Sequence, residues 1–225
     1  MEKVIKNSFV IGDVHGCYHT LLKLVEKLPK NAKLIFLGDL CDKGNFSKEV
    51  IEYVIKNNHF CIKGNHEYLM QKYLKKAIIN KEISNNWATN KNWGGKESIK
   101  NYLKDGKLLE KHLDWIKSLP LYLEFDKYFI THGFGLPYYK RKDDKKSNSL
   151  FVNRIHDTTY IKDWEDFKNY DVLNIFGHCN FSEVLRGKNY ICIDTGCCYG
   201  NKLTALNLET LETIEQKTDK RDITL

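Results

Sequence analysis

Arginine is scarce in this chain. Only four of its 36 basic side chains are arginine; the rest are lysines scattered along 225 residues, and they produce most of a formal net charge of +7. Nucleic-acid binders gather basic groups on one face, often as arginine with aromatics. Here the one charge run, "KRKDDKK" at 140–146, is interrupted by two aspartates. It reads as a solvated loop, and no nucleic-acid partner is expected. Long apolar runs are also missing. None approaches the ~18 residues of a membrane span, and the N-terminus "MEKVIKNSFVIGDVHG" lacks a signal-peptide h-region. Seven cysteines, an odd number without a CxxC pair, argue against a disulfide framework in a chain long enough to build its own core. Reduced thiols, a cytoplasmic location and no membrane partner are the expectation. No low-complexity linker divides the chain, so residues 1–225 read as one domain.

What is present is a repeated pattern. "FVIGDVHG", "IFLGDLCDKG" and "FCIKGNHE" each run from an apolar stretch through glycine to Asp or Asn, with Gly12, Gly38 and Gly64 spaced 26 residues apart. The intervening segments have helical periodicity: 18–28 aligns Leu21, Leu22, Val25 and Leu28, and 47–57 aligns Val50, Ile51, Val54 and Ile55 behind Ser47 as a candidate N-cap. This alternation predicts βαβαβ with parallel strands. Ligand groups gather beyond the carboxyl ends of such strands. Asp13, Asp39 and Asn65 are therefore expected to meet in space. Residues 66–118 read as helical with a break at 85–98, and 121–133 as two strands about a turn at Asp126-Lys127. Residues 135–149 read as an exposed loop, and 172–179, 189–196, 202–209 and 212–217 as strands in series.

Asp13 and His15 alternate just past a strand end, so in extended backbone they point the same way and can grip one ion. Asp39, with two carboxylate oxygens, can bridge two ions. Asn65 offers a hard amide oxygen, and imidazole suits Mn, Fe and Zn. His132 in "FITHG" and His178 in "IFGHC" each follow an apolar run beside glycine. Taken singly, each has a bland reading: Gly64-Asn65 is a common turn, and a strand-end His is usually structural or exposed. Their joint occurrence favours a metal site.

The ordered set "GDVHG", "GDLCDKG", "GNHE", "THG" and "GHC" resembles the phosphoprotein phosphatase signature of the calcineurin-like metallophosphoesterases. The tail "IDTGCCYGNKLTALNLE" at 193–209 is similar to that of small bacterial and phage serine/threonine phosphatases. The match runs from residue 8 to 209, leaving 210–225 as a C-terminal strand and tail. The resemblance implies an α/β fold, a two-sheet sandwich flanked by helices (α/β/β/α). It implies two divalent transition-metal ions, Mn first, with Fe, Zn or Mg as other ions such donors accept. Asp13, His15 and Asp39 would hold one ion; Asn65, His132 and His178 would hold the other, with Asp39 bridging. A water between the ions would attack phosphorus. His66 would be the general acid and Asp42 its orienting partner. Lys43 and Arg154 would contact phosphate, and Gly44 would permit the turn behind them.

Lys43 replaces an arginine usual in the family, exchanging a bidentate fork for a point charge. Cys41 and Cys179 flank proposed ligands and read as small buried fillers. Trp87, Trp93, Gly94 and Gly95 resemble a Trp/Gly-Gly segment of bacterial members; the tryptophans read as anchors of a helix-to-helix turn bordering the substrate groove. With Asp42 retained and Glu67 ending the third motif, the main expectation is a serine/threonine protein phosphatase acting on a phosphoprotein or phosphopeptide. The alternative is a hydrolase of diadenosine tetraphosphate or another nucleotide phosphoester on the same site. A catalytically dead binding module is disfavoured by the complete ligand set.

Overall fold

The computed structural model describes residues 6–81, 85–144, 148–156 and 169–223. Two five-stranded sheets face each other. The first has the order β10-β9-β1-β2-β3, built from β1 (Ser8–Ile11), β2 (Lys33–Phe36), β3 (Phe60–Cys61), β9 (Lys202–Asn207) and β10 (Thr213–Lys217). The second has the order β4-β5-β6-β8-β7, built from β4 (Tyr122–Phe125), β5 (Tyr128–Thr131), β6 (Leu173–Phe176), β7 (Leu185–Arg186) and β8 (Tyr190–Cys192). Within the first sheet β1, β2 and β3 run parallel; within the second β5, β6 and β8 do.

The strands are apolar on consecutive residues because both their faces are covered. Val10, Ile35, Ile62, Ile130, Ile175, Ile191 and Leu206 fill the space between the sheets. Their neighbours Phe9, Ile11, Leu34 and Phe36 point the other way, into a core shared with helices. Those helices are α1 (Tyr18–Glu26), α2 (Ser47–Lys56), α3 (Asn65–Ile79), α4 (Asn86–Thr89), α5 (Gly95–Tyr102) and α6 (Gly106–Ser118). The outer face of the second sheet carries a smaller cluster, including Phe134, Leu136, Phe176 and Cys192. It adjoins a 3-10 helix (Leu136–Arg141) and the short α7 (Ser149–Val152).

The segment expected as an exposed loop, 135–149, is thus partly helical, with Leu136 fully buried. Residues 145–147, which include the end of the basic run, lie outside the described residues, as do 82–84 in the expected helical region. Ser47 is the first residue of α2 rather than its cap; Phe46 holds the cap position. The Ser47 hydroxyl instead accepts the Asp42 backbone N–H at 3.0 Å. The C-terminal segment is tied to the site loops. Asp222 is fully buried and accepts from the Thr20 N–H (2.7 Å), the Thr20 hydroxyl (2.6 Å) and the His19 N–H (3.0 Å), while its carbonyl takes the Asn45 N–H at 2.8 Å. All seven cysteines are free, six of them buried. Among the described residues no helix is long and apolar enough to cross a membrane.

Candidate active site

Every parallel strand ends at one cavity of about 290 Å³. β1 leads to Asp13 and His15, β2 to Asp39 and the loop carrying Asp42 and Lys43, and β3 to Asn65 and His66 at the start of α3. β5 leads to His132, β6 to His178 and β8 to Asp194. Of the ten residues singled out in the sequence, Asp13, His15, Asp39, Lys43, Asn65, His66, Arg154 and His178 line the cavity. Asp42 and His132 are fully buried just behind it. The remaining strand tip, Asp194, also lines it and was missed. The signal was available: "ICID" is one more apolar run followed by a carboxylate.

Asp39 is the centre of the constellation. Its Oδ2 lies 3.4 Å from His15 Nε2 and 3.9 Å from His66 Nε2; its Oδ1 lies 3.3 Å from His132 Nε2. Two groups of donors, His15–Asp39–His66 and Asp39–His132–His178, are each compact enough for a metal ion, and they share Asp39. His132 Nε2 is also 3.0 Å from Asn65 Oδ1. The imidazoles are aimed from behind: His15 Nδ1 meets the Cys41 carbonyl and His132 Nδ1 the Leu37 carbonyl, both at 2.8 Å, which leaves each Nε2 facing the cavity.

The charge balance fits cations. Asp13, Asp39 and Asp194 are three buried carboxylates at one spot. Burial and then Asp194 raise Asp13 well above the usual carboxylate range, and burial raises Asp194. Against the same desolvation, the imidazoles of His132 and His66 hold Asp39 well below that range. His132 is driven down by burial but up more strongly by Asp39 and Asp13, reaching about 10. Burial and the adjacent His132 lower His178 to about 3. Asp13 Oδ2 accepts the His178 N–H at 3.1 Å, whereas its buried Oδ1 has no hydrogen-bond partner among the described residues. A buried carboxylate oxygen without a donor is costly unless a cation faces it. Oxygen and nitrogen donors, the shared Asp39 and the orphaned Asp13 oxygen together fit two divalent ions.

His66 has a second layer of support. Its Nδ1 meets Asp42 Oδ2 at 2.7 Å, and Asp42 also accepts from Trp87 Nε1 at 2.7 Å and the Ser98 hydroxyl at 2.5 Å. Trp87 is more than the turn anchor expected from sequence: buried at 2 % exposure, it fixes the carboxylate that fixes His66. Trp93 lines the cavity, in keeping with a segment expected to border the groove. Glu67 faces backbone rather than the cavity. It accepts the N–H groups of Asp39 and Leu40 at 2.7 Å each and of Gly64 at 2.9 Å, stitching two strand tips together.

His15, Asp39, Asp42, Lys43 and His178 all have positive φ, between 47° and 68°. Such backbone is uncommon outside glycine and concentrates where a site demands particular directions. Gly44 lacks positive φ, so it does not serve the sharp turn expected of it. Its role is close approach, because a Cβ there would strike the His15 carbonyl. Lys43 Nζ lies 3.0 Å from His15 Nε2 and 5.2 Å from the Tyr199 ring centroid. Arg154 is exposed on the opposite sheet's loops. Cys41 and Cys179 are buried fillers as expected, and desolvation raises both thiols, Cys179 to about 11.

A family profile described as calcineurin-like phosphoesterase matches residues 8–199. The chain belongs to that family. This calcineurin-like phosphoesterase is 28% identical over 91% of its length, and 91% of the relative's, to a protein of Anoxybacillus flavithermus named bis(5'-nucleosyl)-tetraphosphatase PrpE [asymmetrical]. A Bacillus subtilis protein of the same name is 27% identical over 91% of this chain and 92% of its own. Among solved structures, a chain described as a candidate diadenosine tetraphosphatase superposes with TM-score 0.70 at 19% identity, covering 95% of this chain and 94% of that one. A Saccharomyces cerevisiae protein serine/threonine phosphatase superposes with TM-score 0.60 at 16% identity, covering 95% and 80%. These superpositions support the two-sheet fold expected from sequence.

Proposed function

We propose that this phosphoesterase hydrolyses bis(5′-nucleosyl) tetraphosphates asymmetrically, reversing the order of the two expectations drawn from sequence. The observation that carries the reading is the similarity to enzymes of that name over nine-tenths of both chains. The sequence features that point toward protein phosphatases face the protein itself: among the described residues Glu67 bonds to backbone and the Cys41 thiol, and Asp42 orients His66.

In this reading Asp13, His15 and Asp39 hold one divalent ion. Asn65, His132 and His178 would hold the other, and Asp39 belongs to both donor groups; Mn is the first candidate. When bound, such a pair lowers the pKa of water and neutralises phosphoryl oxygens. His66 Nε2 donates the proton to the leaving oxygen while Asp42 holds its Nδ1. The positive ends of α3 and of Lys43 and Arg154 face the phosphate chain. Lysine suits a flexible polyanion with several oxygens, where a bidentate fork is not required.

The protein phosphatase reading keeps one specific support, the His66–Asp42 pair at 2.7 Å. A serine alkoxide needs a proton to leave, whereas a nucleotide phosphate, with a pKa of about 6, gains less from one. Purified protein reconstituted with Mn, Fe, Zn or Mg and offered diadenosine tetraphosphate and a phosphoserine peptide decides the matter. A kcat/KM at least about tenfold higher on the dinucleotide is expected; the reverse ranking overturns the proposal.

A further inference from the structure

Trp93 stands in the cavity beside the proton donor. Its ring centroid is 5.7 Å from that of His66, with planes 46° apart, and the residue keeps 38 % exposure. The contrast with Trp87 is informative. Six residues earlier, that indole is buried and committed to Asp42. Trp93 presents its ring to the cavity, with Asn90 and Asn92 on the same wall.

The loop behind Trp93 is fixed. The Asn92 N–H donates to Asn90 Oδ1 at 2.9 Å, and the Trp93 and Gly94 N–H groups to the Asn90 carbonyl at 3.1 and 3.3 Å. The Gly94 carbonyl accepts the Lys43 N–H at 3.2 Å. Gly94 has φ +71°, and a Cβ there would collide with Lys43 backbone. The backbone that carries the ring is therefore held against Lys43, beside His66.

A general acid must lie on the side of the group that leaves. A flat aromatic face flanked by two carboxamides beside that acid suits a nucleobase: the ring stacks, and the amides offer donors and acceptors to the base edge. We propose that Trp93 is the platform for the base of the departing nucleotide, and that this nucleotide leaves as the monophosphate. The inference rests on the dinucleoside tetraphosphate reading above. Water oxygen bonds to the phosphorus second from one nucleoside. The bond from that phosphorus to the oxygen shared with the first phosphorus breaks, the electron pair stays on that oxygen, and His66 supplies its proton. The products are a nucleoside monophosphate and a nucleoside triphosphate. Attack at the phosphorus nearest a nucleoside gives the same products, but the departing triphosphate then carries its base two phosphoryl groups further from the leaving oxygen, out of reach of a ring that touches His66.

The test is hydrolysis of diadenosine tetraphosphate by the metal-loaded enzyme in 18O-water, read by mass spectrometry. Label in ATP is expected; label in AMP overturns the inference and leaves the proposed activity standing. Turnover of a phosphoserine peptide with none of the dinucleotide overturns the activity and the inference with it. As a second measurement, Trp93→Ala should lower kcat/KM for the dinucleotide about 5- to 150-fold, and Trp93→Phe, which keeps a ring, by no more than about threefold. No loss in the alanine variant, or equal loss in both, removes the stacking role.

Discussion

Replacing His66 by asparagine separates a proton donor from an ion ligand. His66 is open to both roles on geometry: its Nδ1 is 2.7 Å from Asp42 Oδ2, while its Nε2, 3.9 Å from Asp39 Oδ2, belongs to one of the two compact donor groups. Asparagine retains a donor for the buried Asp42, so the fold should survive the exchange. A positioned acid contributes ~10²–10⁴ in rate, or about 2.7–5.5 kcal/mol of barrier. That whole contribution applies when the leaving group is a serine alkoxide. It shrinks for a nucleotide phosphate that departs readily as an anion. Steady-state assays of the reconstituted variant should show at least about 100-fold loss on a phosphoserine peptide and about tenfold on diadenosine tetraphosphate, with elemental analysis giving wild-type metal content. Unchanged rates on both substrates would refute the proton-donor role. Loss of one equivalent of metal would refute the assignment of His66 as anything but a ligand.

Trp87→Phe removes a donor from a fully buried carboxylate and should cost about 1–3 kcal/mol in urea unfolding, with a fall in kcat; an unchanged midpoint and rate contradict the account of Asp42. Glu67→Ala strands three backbone N–H groups and should destabilise by at least about 3 kcal/mol, read as a lowered Tm; a shift of under a degree would show that the strand tips are held otherwise. In the ion-free protein His132 titrates at about 10, above the ~6.5 of an unfolded histidine. Its protonated form therefore stabilises the ion-free fold fully below about pH 6.5, and this is lost as pH rises through about 10. Binding an ion at its Nε2 must expel that proton, so Mn affinity should rise about tenfold per pH unit between pH 7 and 9. Calorimetry in buffers of different ionisation enthalpy counts the protons; an affinity flat across that range refutes His132 as a ligand.

The strand tips were legible because parallel strands leave a repeated mark, an apolar run and then a polar residue, at β1, β2, β3, β5 and β6. Asp194 carries the same mark but stands in a tail that reads as plain β-structure. Strand β7 escaped notice because its two residues, Leu185 and Arg186, lack the apolar run and polar tip that mark the equally short β3. Trp87 was beyond reach for another reason: its partner Asp42 lies 45 residues away, and only packing brings them together. Ser47 misled because a serine before an apolar stripe looks like a cap, whereas its hydroxyl serves Asp42. Substrate choice was the least legible feature. Glu67 and Asp42 looked like discriminating residues, yet one binds backbone and the other binds His66.

The division of donors between two sheets has a consequence for how the enzyme is made. Asp13, His15, Asp39 and Asn65 leave the ribosome with the first sheet's parallel strands, but His132 and His178 come only with the second. β9, which borders β1, comes later still, at Lys202–Asn207. A nascent chain shorter than about 180 residues cannot assemble both donor groups. The first donor group is complete once residue 66 is made, whereas the second waits for His178, so ions held by both groups would join segments of the polypeptide translated far apart.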